Sequence, residues 1–349
     1  MLNNFVRSSS FSFGEFNNDI IKKENRPLGL VVFDEAHNLG DGERGLRSEL
    51  VLSTINRESP DTHFLLLSPF VPNADELAVW LDSERSKSIK PSLSINWQPN
   101  DRLLALAYPK GNGRMWGVEA KPLYVSQPHR MPISFDARIS LQKEKLHNTP
   151  ISKVRTSKIN VSAIIAEVLS GRGSSIVLAY SPADCWKIAE NLSRNLPDKS
   201  SSNIELVMEF IEVENGSDYI LYNLLKKGIG VHHAGISPEV RIPLEWPAEE
   251  DELVTLVATS TIAQGVNFPI SNVIFSTNSK PVKMGSEFVR KDLQHDEFWN
   301  MVGRSGRLFH ETLGLVIFAS QTPYDKKIED FVNTSCKIKI RVHDYKYPL

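Results

Sequence analysis

Asp34, Glu35, Ala36 and His37 close the run Leu28, Gly29, Leu30, Val31, Val32, Phe33 and set two carboxylates at the rim of an expected sheet. A short unbroken apolar run that ends in a polar turn predicts a strand buried on both faces, and ligands of open α/β sheets sit beyond the carboxyl ends of such strands. The chemistry such a pair suits is phosphoryl transfer. One carboxylate holds Mg²⁺, the next polarises the attacking water, and the metal spreads the charge that develops on the transferred phosphate. A plainer role fits the same residues, because acids in the first turn of a helix are favoured by its exposed amides and macrodipole.

Far along the chain, Gly303, Arg304, Ser305, Gly306 and Arg307 follow an expected helix. Two arginines three apart, eased by glycines, can present both guanidinium forks to one site. Guanidinium is permanently charged and matches phosphate oxygens in pairs, which suits it to stabilising a phosphoryl-transfer transition state. The alternative is a basic turn on the surface.

Between these fragments lie Gly228 to Ile236, reading Gly-Ile-Gly-Val-His-His-Ala-Gly-Ile, and Ala258 to Pro269, reading Ala-Thr-Ser-Thr-Ile-Ala-Gln-Gly-Val-Asn-Phe-Pro. Small hydroxyl residues and glycines expose backbone amides that grip phosphates without a basic patch. His232 and His233 equally suit packed imidazoles satisfied by backbone, since no third ligand at metal spacing accompanies them. Thr259, Ser260 and Thr261 equally suit a helix cap.

The elements that must position these residues alternate between strand and helix. Phe64 to Leu67 predicts a second strand, closed by Ser68 and Pro69, after which Asn73 caps a helix carrying Leu77, Trp80 and Leu81. Ser83 to Ser92 predicts a loop, and Leu103 to Tyr108 with Met115 to Val118 predict a hairpin about Lys110, Gly111, Asn112 and Gly113. The pattern lapses around His147 to Ile159, which sets a boundary between a domain at 1–148 and one at 149–330, with an extension at 331–349. In the second domain Asn160 is expected to cap a helix that Gly171 ends. Ile176 to Tyr180 then predicts a strand, and Ser181 with Pro182 opens the next helix. Later strands are expected at Leu253 to Ala258, Val273 to Ser276 and Gly314 to Phe318, so the fold class is α/β with a mostly parallel sheet.

Composition narrows the partners. Forty basic residues stand against 42 acidic ones, a net charge of −2, so nucleic-acid binding would have to be local. No apolar run approaches the roughly 18 residues of a membrane span, and residues 1–18 lack the apolar stretch of a secretory signal, so no membrane partner is expected. Cys185 and Cys336 stand far apart without further cysteines, which excludes a disulfide framework and a thiolate metal site and makes a reducing cytoplasm the natural setting.

Taken in order, the segments resemble the motor core of superfamily 2 DEAD/DEAH-box helicases, most closely the Ski-type branch. Asp34 to His37 looks like motif II, Leu67 to Phe70 like motif III and Ser175 to Ser181 like motif IV. Gly228 to Ile236 looks like that branch's His-His-Ala-Gly element, while Ala258 to Pro269 and Asn300 to Arg307 look like motifs V and VI. Pro72 to Leu81 resembles the helix that follows motif III in the branch. The resemblance implies two RecA-like lobes of the P-loop NTPase type, with ATP and Mg²⁺ as cofactors and DNA or RNA as partner. It implies that Asp34 and Glu35 face the metal, Asp34 as ligand and Glu35 as activator of water, and that His37 relays nucleotide state to Ser68 and the facing lobe. Arg304 and Arg307 would be arginine fingers, and Gly265 and Asn267 would lie near the nucleotide sugar or those fingers. Ser181, His232, His233, Gly235, Thr259, Ser260 and Thr261 would face the nucleic-acid backbone.

The sequence departs from the pattern in several places. A motor of this kind carries Gly-x-x-x-x-Gly-Lys followed by Ser or Thr, whose amides and lysine cradle the phosphates. No Gly-Lys pair occurs in these 349 residues, and Gly171-Arg172-Gly173-Ser174-Ser175 precedes a strand instead of following one. Pro69 and Phe70 replace the usual Ala-Thr of motif III, which removes a backbone donor and a hydroxyl, and Asn300 stands where Gln is common. The expectation is therefore an incomplete first lobe and an essentially whole second lobe. Such a chain would be a helicase piece inactive by itself, with a separate polypeptide supplying the P-loop half. The alternative is a non-catalytic module derived from a helicase that binds nucleic acid or protein.

Overall fold

The structure, a computed structural model, describes residues 28–34, 36, 39, 42–67, 74–81, 101–126, 136–260, 270–284, 287–303, 305 and 313–337. They divide into two compact units, the described residues up to 81 in the first and those from 101 in the second.

In the first unit, β1 (Leu30–Phe33) pairs in parallel with β2 (His63–Leu66), and α1 (Gly42–Glu58) makes the crossover. A further helix, α2 (Ala74–Leu81), follows β2. Leu39, Leu52, Leu77 and Leu81 form the core, and Val31, Phe33, Phe64, Leu66 and Trp80 pack against it. The register pairs Val32 with Leu65, so alternate residues share the opposite face, and there Leu30, Val32 and Leu65 are 55%, 50% and 46% exposed. The strand expected to be buried on both faces is thus covered on one only, where Val31 and Phe33 are partly buried. Parallel strands ordinarily carry cover on both sides.

The second unit is built on an eight-stranded sheet of β3 (Asp101–Asn112), β4 (Met115–Val125), β5 (Ile139–Leu146), β6 (Ser175–Ala179), β7 (Ile229–His232), β8 (Thr255–Thr259), β9 (Asn272–Phe275) and β12 (Leu313–Ala319). The strands lie in the order β5, β4, β3, β12, β9, β6, β8, β7. From β3 to β7 the neighbours are parallel, while β4 and β5 add antiparallel at one edge. A separate antiparallel pair, β10 (Ser279–Met284) and β11 (Glu287–Asp292), leaves the sheet after β9.

The expected hairpin is present, with strands longer than the apolar runs alone mark. Its place differs from the expected boundary near residue 148. Strand β3 pairs along its length with β12, from Leu313 opposite Asp101 to Ala319 opposite Ala107, so the hairpin belongs to the second unit. The segment where the pattern lapses holds α3 (Ile151–Val154), with Ile151 and Val154 buried.

Helix α4 (Lys158–Leu169) packs on β6, β9 and β12, and α5 (Pro182–Ser193) packs on α4, β7 and β8. Asn160 does not cap α4. Ser157 does, its hydroxyl accepting the Asn160 N–H at 3.2 Å, while the Asn160 amide donates back to Lys153 and Thr156. Three more helices, α6 (Ser202–Asn215), α7 (Ile220–Leu225) and α8 (Pro238–Glu249), lie along the chain about β7. Helix α8 continues through Pro243 and Pro247 because Val240, Leu244 and Ala248 bury its inner face. Helix α9 (His295–Gly303) sets Phe298 against Phe275 and Phe318, with ring centroids 5.4 and 5.8 Å away, and α10 (Lys326–Lys337) closes the described chain.

Candidate functional site

In the first unit the turn after β1 is fastened to the end of β2. Leu67 N–H donates to Phe33 O and Ala36 N–H to Leu67 O, both at 2.9 Å. Asp34 therefore stands exposed at the carboxyl end of a parallel strand, where a carboxylate is of the donor type that Mg²⁺ takes. Glu35, His37, Ser68 and Asn73 lie outside the described residues.

In the second unit the parallel strands end together. Ala179 of β6 is in register with Thr259 of β8, and Ala258 with His232 of β7. Ser181, His232, His233, Gly235, Thr259 and Ser260 thereby gather at one rim, beside the point where the chain crosses from β8 to β9 on the other side of β6. Such a switch point is where open sheets take ligands. Thr261, Gly265 and Asn267 lie outside the described residues.

The rim's polar groups are fixed mostly within their own turns. Ser181 caps α5: its hydroxyl accepts the Asp184 N–H at 3.2 Å and donates to Asp184 Oδ2 at 2.9 Å. Pro182, at the first helical position, needs no partner for a backbone donor. His232 is buried with Nε2 3.2 Å from Glu245 Oε1 of α8. Burial holds its pKa below the ordinary imidazole value, against the opposing pull of Glu245. His233 is also buried, and Trp186 of α5 meets its ring at 5.6 Å and 86°. Its Nδ1 accepts the Gly235 N–H at 3.0 Å, which leaves the proton of the neutral ring on Nε2. Burial, and then the neighbouring His232, lower its pKa. Nδ1 of His232 and Nε2 of His233 are buried and have no hydrogen-bond partner among the described residues. Neutral imidazoles at this rim are donors and acceptors, not cations.

The residues flanking Arg304 are not at that rim. Gly303 ends α9, and its carbonyl accepts from Arg102 Nη2 at 3.2 Å near the start of β3. Ser305 is buried, bridges Ile270 in parallel just ahead of β9, and donates through Oγ to Val302 O at 2.7 Å. Gly314, second residue of β12, lies so close that a Cβ would meet Ser305 O at 2.7 Å. These contacts all sit at the amino ends of the strands, a five-residue strand or roughly 16 Å from the other rim. Arg304, Arg307 and Gly306 are outside the described residues. Arg172, in the glycine-rich stretch before β6, braces this rim by donating to Asn272 Oδ1 at 2.8 Å and Leu313 O at 2.7 Å.

The sequence reading missed the pair β10 and β11, which rises from the carboxyl rim. Phe288 on β11 is 71% exposed, and Arg290 stands 4.8 Å over the Tyr180 ring while donating to Thr277 Oγ1 at 2.8 Å. The signal available was the mixture of apolar, aromatic and basic residues in Val282-Lys283 and Phe288-Val289-Arg290-Lys291.

No family model matches the chain. It is 28% identical over 309 residues to the ATP-dependent DNA helicase Hel308 of Thermoplasma acidophilum, covering 88% of this chain and 38% of that protein. It is 24% identical over 314 residues to the Helicase POLQ-like protein of Homo sapiens, covering 87% of this chain and 25% of the relative. A third relative, the DExH-box ATP-dependent RNA helicase DExH9 of Arabidopsis thaliana, is 25% identical over 326 residues, with 89% and 32% covered. The chain thus spans less than two-fifths of the length of these relatives.

Proposed function

We propose, for a chain that belongs with the superfamily 2 helicases, that it is a piece of an ATP-dependent nucleic-acid motor whose second unit holds the strand. The observation that carries this reading is the gathering of Ser181, His232, His233, Gly235, Thr259 and Ser260 at one carboxyl rim of a parallel sheet. The partly exposed hydroxyl residues Ser181 and Ser260 there suit phosphate oxygens, and the Phe288 ring on β11, 71% exposed, suits a base face.

In this reading Asp34 holds Mg²⁺ and Glu35 activates water. His37 couples nucleotide state to Ser68, Arg304 and Arg307 supply charge to the transition state, and Gly265 and Asn267 lie near the nucleotide. Thr261 joins Thr259 and Ser260 on the strand. The phosphate cradle comes from a further polypeptide, because no Gly-Lys pair occurs in these residues. The half-exposed Leu30, Val32 and Leu65 support that partner, since they offer an apolar sheet face for it to cover. In this reading the described residues up to 81 act within the first lobe and those from 101 to 337 within the second.

The test is nucleic-acid-stimulated ATP hydrolysis alongside binding of single-stranded DNA and RNA. The 349-residue chain by itself is expected to bind the strand and to hydrolyse ATP negligibly. A polypeptide carrying the P-loop strand and helix should restore turnover that Glu35→Gln abolishes. Robust turnover by the lone chain, lost in Glu35→Gln, would overturn the inactive reading. Failure to bind either strand would overturn the motor.

A further inference from the structure

Helices α6 and α8 together are more negative than the chain as a whole. Between them they hold Glu205, Glu209, Glu212, Glu214, Glu239, Glu245 and Glu249 against Arg241 alone, a formal −6 in a chain whose total is −2. Within α6, Glu205 and Glu209 are four apart, a like-charge spacing that weakens an isolated helix. Glu245 turns inward to His232, and Glu205 is bonded to Ser200. Glu209, Glu212, Glu214, Glu239 and Glu249 are exposed.

The same two helices expose apolar side chains. Leu206 and Val213 of α6 are 50% and 83% exposed, and Ile242 and Trp246 of α8 are 55% and 48% exposed. Each pair is spaced seven or four residues apart, which stacks it on one side of its helix, away from buried Val207 and Ile211 or Val240 and Leu244. The helices pack on each other. The start of α6 is bound to the segment just past α8, where Ser201 Oγ and Asn203 Nδ2 donate to Glu252 at 2.7 and 3.1 Å.

We infer that the outer face of α6 and α8 docks a basic, amphipathic segment of another polypeptide, with Trp246 and Val213 as apolar anchors and the surrounding glutamates pairing its cations. An acid-rimmed apolar stripe matches that chemistry. It repels nucleic acid and anionic membrane, and a second copy would present the same negative charge to it. An exposed tryptophan beside aliphatic residues is the composition that concentrates binding energy in protein interfaces. This inference is independent of the nucleic-acid reading.

The probe is a fluorescein-labelled helical peptide of about 18 residues, leucine on one face and lysine on the other, titrated with the full chain by anisotropy. Saturable binding is expected. It should weaken as salt is added and fall about tenfold or more in Val213→Glu and in Ile242→Glu, both surface changes whose folding is checked by thermal melting. Leu206→Glu serves if either variant fails to melt cooperatively. Equal binding by the variants, or by a lysine-serine peptide lacking the apolar face, would overturn the inference. So would a chain that sediments as a dimer which Val213→Glu dissolves, because the occupant would then be a second copy.

Discussion

The two rims of the second unit's sheet are held in opposite ways. At the amino ends, arginines reach across the fold: Arg172 to Asn272 and Leu313, 100 and 141 residues away, and Arg102 to Gly303, 201 residues away. At the carboxyl ends the bonds described for Ser181 and His233 close within two or three residues. Long-range bonds couple several strands, so one rim acts as a brace. The local bonds of Ser181 and Gly235 can adjust to a ligand within their own turns, while His232 stays tied to Glu245 of α8.

The largest expected effect is at the brace. Gly314→Val would drive a side chain into Ser305, whose O, C and Oγ stand 2.7, 2.8 and 2.8 Å from the position of a Cβ. A loss of about 3 kcal/mol or more in urea unfolding is expected. A near-neutral result would show that Ser305 is not fixed. Arg172→Ala removes two bonds and leaves Asn272 buried, for an expected loss of about 2 kcal/mol by the same measurement.

At the carboxyl rim the effects should fall on binding more than on folding. His233→Asn can keep an acceptor for the Gly235 N–H while removing the buried ring packed on Trp186, so the turn presenting Gly235 should loosen and affinity for single-stranded nucleic acid fall several-fold, or about 1 kcal/mol. Unchanged affinity, with the fold intact, would remove His233 from the interface. Ser181→Ala should cost about 1 kcal/mol through the lost cap and leave the amino-end contacts unchanged in amide exchange. A spread of exchange to Arg172 and Gly303 would erase the contrast between the rims.

The smallest effect is a pH slope. His232 and His233 have folded pKa values below the ordinary imidazole value, so below that value the unfolded chain binds more protons than the folded one. Stability should decline as pH falls from neutrality through the imidazole range toward the lowered folded values. His147, also lowered by burial, adds the same sign, so a flatter slope in His233→Asn isolates the share of His233.

Local chemistry made much of this legible. Ser181 followed by Pro182 announces a helix start, and Lys110 to Gly113 between apolar runs announces a hairpin, because caps and turns are decided by neighbours within a few residues. The Asn160 cap was misread for the same reason: Ser157 and Asn160 are both good caps, and the choice fell to the residue whose hydroxyl met the helix amide. The buried state of Ser305 had no signal, since it depends on Gly314 and Ile270 approaching from other strands.

The sequence by itself determined the alternation of strands and helices and the order of the chemical segments, because period, punctuation and residue type act over short range. Only the tertiary structure decided that the hairpin at 101–125 belongs to the second unit and that the phosphate-type residues and the flanks of Arg304 occupy opposite rims. Those outcomes rest on strand pairings such as Asp101 with Leu313, in which backbone groups distant in sequence satisfy one another, and no local pattern encodes which distant strand will be the partner.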